Sequence, residues 1–212
     1  MKKLFLMLTI CFSIQYNFLA QDFGDISIDE LKMTGIAEDP DANAVILINN
    51  ADMRINSNFD FEMKVQRRIK ILTEEGKKYG DVELPYWNGN NIYNIEASCH
   101  NPNGEVFEID GDNIIETESD DINTVKFHIP GIVVGSIIEY SFKNISTQLY
   151  KLKPWIFQDK DFTKFSRLKV IIPPGFTYNY LGLNLKENNI ERTEDKTWNP
   201  DNSSQEGASF LI

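Results

Sequence analysis

Cys99 and His100 are neighbours in the chain, and a thiol beside an imidazole is raw material for a nucleophilic site. The surrounding residues predict a strand, with Tyr93, Ile95, Ala97 and Cys99 on one face and Asn94, Glu96, Ser98 and His100 on the other. Successive side chains of a strand leave opposite faces, so this pair cannot meet as nucleophile and base. Cys99 reads instead as a small buried hydrophobe. His128 alternates with Phe127 and Ile129 and is expected to face solvent.

Carboxylates are the next chemistry-bearing group. Asp110-Gly111-Asp112-Asn113 begins like a calcium loop, but such a loop needs an oxygen ligand at its fifth position, where Ile114 stands. A looser oxygen site from Asp110, Asp112 and a distant carboxylate stays open. The chain has no Gly-x-Ser-x-Gly elbow, no His-Glu-x-x-His pair and no phosphate-binding glycine loop. Nothing in it calls for a cofactor, and no residue is assigned a catalytic role. Tyr86, Trp87, Tyr93, Trp155 and Phe157 offer a different chemistry, a platform of ring faces for a sugar or peptide, with core packing as the competing use.

The longest periodic segment is Phe59 to Leu72, which alternates Phe59, Phe61, Met63, Val65, Arg67, Ile69 and Ile71 with Asp60, Glu62, Lys64, Gln66, Arg68, Lys70 and Leu72. It predicts a strand of roughly 45 Å with one face buried. Arg67 interrupts the apolar face. Either the strand bulges and Arg67 reaches the rim, or Arg67 is buried in a structural ion pair with Glu139 or Glu83, the arrangement expected here.

Other elements follow in order. Ser27 to Glu30 has the form of a capping box and opens a short helix stopped at Gly35. Ala44 to Asn49 predicts a short strand, Asn49 to Asp52 a turn, and Met53 to Asn56 another short piece. Lys77 to Asn91 predicts a loop, because it is polar, aromatic and interrupted by Pro85 and Gly89. The pair of strands around Asn101-Pro-Asn-Gly104 reads as a hairpin, and Val125–Ile129, Ile138–Phe142, Arg167–Ile172, Phe176–Leu181 and Ile190–Trp198 read as further strands. Frequent turn signals and scarce helical periodicity predict an all-β, antiparallel β-sandwich with one short N-terminal helix.

Composition limits the function. The 212 residues are 42% hydrophobic with 14 Phe, enough apolar matter for a large core. Lys2 and Lys3 precede a short apolar run, Leu4 to Phe12, and Ala20 ends a cleavage site before Gln21, the pattern of a secretory signal peptide over residues 1–20. Residues 21–38 then form the helix and lead-in, and residues 39–212 the β domain. Losing the leader removes two lysines and no acid, which takes the formal charge from −11 to −13. A chain that acidic is not expected to bind nucleic acid. Cys11 leaves with the leader, so Cys99 stands alone in an oxidising compartment and no internal disulfide forms. The expected location is periplasmic, cell-envelope or secreted, with no transmembrane span in the mature chain.

Four segments together resemble a known family: Arg67 to Gly80 (RRIKILTEEGKKYG), Ile95 to Gly104, Pro130 to Tyr140 (PGIVVGSIIEY) and Pro154 to Gln158 (PWIFQ). In this order they resemble the domain of unknown function that stands in front of transglutaminase-like domains in exported bacterial proteins. That resemblance implies an immunoglobulin-like sandwich. It also implies a following papain-like core with a Cys-His-Asp triad, none of which matches a position here. The expectation is a non-catalytic module that partners a transglutaminase-like domain or an envelope glycan or protein. The alternative is an acyl-transfer or hydrolytic enzyme of which this chain is the N-terminal part.

Overall fold

The computed structural model describes residues 22–149, 154–158, 160–173, 181–183, 190–192 and 208–211. Its strands are β1 Ala44–Ile55, β2 Phe61–Ile71, β3 Asp81–Trp87, β4 Asn90–His100, β5 Val106–Glu108, β6 Ile115–Thr117, β7 Ile122–His128, β8 Ile137–Ser146, β9 Ser166–Ile171, β10 Ile190–Arg192 and β11 Ala208–Leu211. They form two sheets, one of eight strands in the order β10-β11-β9-β1-β2-β8-β4-β5 and one of three in the order β3-β7-β6. The all-β expectation holds. One pairing departs from it: β9 runs parallel to β1, so the large sheet is mixed.

Two predicted breaks are absent. Asn49 to Asp52 is no turn, because β1 runs unbroken through it and bulges only between Ile46 and Ile48. Asn49 is satisfied there by hydrogen bonds, its Nδ2 donating to Ile156 O at 3.0 Å and to Ser166 Oγ at 3.3 Å, whereas Asn50 Oδ1 is buried without a partner among the described residues. The predicted loop of 77–91 holds a short 3-10 turn, Glu75–Gly80, and then β3. Val82, Leu84 and Tyr86 of β3 point inward while Asp81, Glu83 and Pro85 point outward. Pro85 is tolerated because β3 is an edge strand. The predicted strand at 176–181 lies almost wholly outside the described residues, and the one at 190–198 is described only over Ile190–Arg192.

The core lies between the sheets. Ile69 and Ile71 of β2, Ile138 and Tyr140 of β8 and Ala97 and Cys99 of β4 meet Val82, Leu84 and Tyr86 of β3 and Val125 and Phe127 of β7. Full burial of each aliphatic side chain contributes about 1.5–3 kcal/mol.

The centre of β2 corrects the sequence reading by one residue. Arg68, Lys70 and Glu139 each have 0% of their surface exposed, although all three sit on the face predicted to be solvated. Arg67 makes no ion pair among the described residues and its Nε is buried without a partner. Glu83 instead meets Lys126 on the surface at 2.8 Å. The ion pair belongs to Arg68, whose Nε and Nη2 reach Glu139 Oε1 at 3.1 and 3.0 Å. Gln66 Nε2 donates to the same oxygen at 2.8 Å.

The second face is covered by residues 22–36. Helix α1, Ile28–Lys32, has the predicted capping box, with the Ser27 hydroxyl accepting from Glu30 N and the Glu30 carboxylate accepting from Ser27 N. Ile26, Leu31, Met33 and Ile36 pack on Val45, Leu47, Ile48 and Ile137. Polar contacts tie the segment down: Arg68 donates to Glu30 at 3.2 Å and to Asp22 O at 3.2 Å, and Gly24 N donates to Glu139 Oε2 at 2.7 Å. Lys70 Nζ donates to Leu31 O at 2.7 Å and Gly135 O at 2.5 Å.

Burial raises the Glu30 pKa, but the Ser27 hydrogen bonds and Arg68 outweigh it and hold the carboxyl below its ordinary value. A depressed acid contributes stability that is present above its unfolded value and lost as pH falls through its folded one. The urea midpoint of wild type should therefore fall as pH drops below about 4.5, the unperturbed value. In Glu30→Gln that portion of the slope should be absent.

Candidate functional site

Cys99 and His100 do leave opposite faces of β4. The Cys99 thiol is fully buried, donates to Asn101 Oδ1 at 3.3 Å, and burial pushes its pKa up. It should react with Ellman's reagent only after unfolding; prompt modification of the native protein would contradict this placement. His100 finds a partner the sequence reading passed over, the Ser98 hydroxyl, at 3.1 Å from Nε2. Residues two apart share a strand face, which is the signal that was available. Burial lowers the His100 pKa, which favours the neutral ring. Ser98 is itself buried, opposite Glu139 in the strand register.

His128 is exposed, as expected, with Nδ1 2.7 Å from Asp81 Oδ1. The Asp110 carboxylate accepts from Asp112 N at 3.2 Å, closing a local turn. Among the described residues no three His, Cys, Asp or Glu side chains are placed to hold a metal.

The aromatic platform divides into three places. Tyr86 and Trp87 stay together at the end of β3. Tyr93 is carried to the opposite face of the large sheet by a register shift between Tyr93 and Glu96, where Asn94 takes φ 50°. There its hydroxyl donates to Glu62 at 3.0 Å and Lys143 Nζ lies 5.9 Å from its ring centre. The Trp155 indole donates to Ser166 Oγ at 3.4 Å, beside the Asn49 contact to Ile156 and away from β3. Phe157 lies in that same segment, not with Tyr86.

Tyr86 and Trp87 instead line a cleft of about 200 Å³ with Met53, Phe61, Met63 and Ile122 as its other apolar walls. It sits at the end of the body where β1, β3 and β8 finish and β2, β4 and β7 begin. Register explains the assembly: Met53 faces Met63 across β1 and β2, Asn144 of β8 faces Met63, and Trp87 faces Ile122 across β3 and β7. The turn after Trp87 then carries the chain from the small sheet to the large one through Gly89, whose φ of 86° suits glycine. Pro85 keeps the wall apolar, and Asn90, Asn144 and Ser146 supply the polar rim. The Tyr86 hydroxyl donates to Glu116.

Trp87 and Ile122 remain 38% and 47% exposed, so the cleft opens to solvent through apolar groups. Small-molecule sites usually enclose roughly 300–1,000 Å³. This volume suits one or two apolar side chains, and the two methionines make the walls adaptable. A second depression, on the outer face of the small sheet, is lined by Asp81, Glu83, Lys126 and His128, which pair with one another. Its charges are satisfied by neighbours.

A family model for a domain of unknown function with a solved structure, DUF3857, matches residues 57–203. The chain belongs to the DUF3857 family. The match takes in β2 and every later strand but β11, while residues 22–36 and β1 precede it. No curated protein matches this DUF3857 chain in sequence. Among solved structures it is similar to a candidate protease from Parabacteroides distasonis, at TM-score 0.60 and 11% identity over 80% of this chain and 35% of that one. It is also matched to yeast LTA4 hydrolase in complex with bestatin, at TM-score 0.37 and 8% identity over 80% and 26% of the two chains. A third is a variant M1 zinc metallopeptidase from Deinococcus radiodurans bound to a Tyr-Ser-Ala substrate, at TM-score 0.31 and 5% identity over 86% and 41%. The first shares the fold; the other two superpose too loosely to carry a comparison. The DUF3857 chain spans about a third of the length of the first.

Proposed function

We propose that this DUF3857 chain is a non-catalytic, exported β-sandwich module of the immunoglobulin-like kind. It serves beside a transglutaminase-like or protease domain, seating an apolar segment of that partner or of its substrate in the cleft between Trp87 and Met63. The observation that carries the reading is the contrast between two kinds of site. The titratable groups of the interior, Arg68, Lys70, Glu139 and Cys99, are closed off and hydrogen-bonded. The groups that line the open cleft at the end of the body are mainly apolar and aromatic. The short span relative to the similar candidate protease supports a part-of-a-larger-machine role. The basic and apolar leader pattern of residues 2–12 supports export.

The reading is tested by titrating residues 21–212 with apolar peptides in a calorimeter. Micromolar heat that disappears in Trp87→Ala supports it. The rival enzyme reading draws on the Ser98–His100 contact, which has the atoms of a nucleophile and its base. Ester or amide turnover that Ser98→Ala abolishes would replace the module reading with a hydrolase.

A further inference from the structure

We infer that the occupant of this cleft is an extended peptide whose apolar side chains are flanked by lysine or arginine; this rests on the reading of the cleft as a binding site. From Tyr79 to Val125 the chain has no Lys or Arg and has eleven Asp or Glu. That run forms β3, β4, β5 and β6 and most of β7, and so the small-sheet wall of the cleft. The acids nearest the opening are fixed there by Asn88, the residue after Trp87. Its backbone N–H donates to Asp121 O at 3.3 Å and its side chain to Asp120 O at 2.6 Å and Ser119 O at 3.2 Å. Glu118, Asp120 and Asp121 are exposed, and Ile122 directly follows Asp121 at the mouth.

An apolar side chain entering between Trp87 and Ile122 therefore has carboxylates beside it, and the small sheet's lysine, Lys126, lies farther along β7, paired with Glu83. Flanking lysines gain from that field, and flanking glutamates are repelled. Because the carboxylates are solvent-exposed, salt screens them, so the preference fades as ionic strength rises. The peptide's apolar residue supplies affinity and its flanking charge supplies selection.

Three hexapeptides with the same central Leu-Phe pair, flanked by lysine, serine or glutamate, are titrated into residues 21–212 at low salt and at about 0.5 M salt. Wild type should bind the lysine peptide roughly tenfold more tightly than the serine peptide at low salt and the glutamate peptide least. The triple variant Glu118→Gln, Asp120→Asn, Asp121→Asn should bind all three alike. Trp87→Ala, and Ile122→Ser as a milder change at the mouth, should weaken all three, with melting curves establishing that each variant is folded. Equal binding of the three peptides by wild type, still lost in Trp87→Ala, overturns the charge selection and leaves the cleft reading standing. Binding unaffected by Trp87→Ala and Ile122→Ser, or no peptide binding beside binding of a neutral oligosaccharide, overturns both.

Discussion

Replacing Arg68 with alanine is expected to lower the unfolding free energy by about 3–5 kcal/mol, the usual loss when one partner of a buried ion pair is removed. The reason is what stays behind. Glu139 remains fully buried with, among the described residues, only Gln66 and Gly24 N to satisfy it, and Glu30 loses its guanidinium contact. Arg68→Met combined with Glu139→Leu should recover most of the loss, because an apolar pair of similar volume leaves no orphaned charge. Arg67→Ala, one residue away and outside the ion pair, should cost less than about 1 kcal/mol. Urea unfolding of these variants measures each difference directly. Equal losses for Arg67→Ala and Arg68→Ala would show that the ion pair does not hold the centre of β2.

Removing residues 21–36 should do still more damage. The deletion strips the Asp22, Gly24, Glu30 and Leu31 partners from Arg68, Lys70 and Glu139. It also opens Val45, Leu47, Ile48 and Ile137 to water. A buried polar group that loses its partner costs about 1–3 kcal/mol, more if charged, and each uncovered aliphatic adds a similar amount. The total exceeds half of the 5–15 kcal/mol that stabilises an ordinary domain. The shortened chain should show no cooperative melting transition, although the family match itself begins only at residue 57. A sharp transition near that of wild type would mean that the large sheet does not need this cover.

Legibility in the sequence followed how local each signal was. The capping box at Ser27 and Glu30 is a pattern within one helical turn, and it forms as read. Alternation in β2, β4, β7 and β8 correctly placed Ile69, Cys99, Phe127 and Ile138 in the core. Alternation alone, however, assigns one buried face, and β2 has two, because a segment whose contacts lie 38 to 46 residues earlier covers the other. Charged Arg68 and Lys70 therefore looked like a solvated face, and the oddity was placed on Arg67. The β3 strand was hidden by Pro85, which only its edge position makes harmless. Tyr93 was misplaced because a bulge flips faces without leaving a composition signal. The cleft could not be assembled from spacing at all. Met53, Met63, Trp87 and Ile122 meet through register between strands distant in sequence.

We propose binding at the open end, and not chemistry at Ser98 and His100, as the work of this chain. Methyl NMR of residues 21–212, with the lysine-flanked peptide added, tests it most directly. The methyl signals of Met53 and Met63 should move in a saturable way, while that of Met33, packed beneath α1 on the second face, stays fixed. Signals of Met53 and Met63 that do not move, together with turnover of an ester substrate that depends on Ser98, would contradict it.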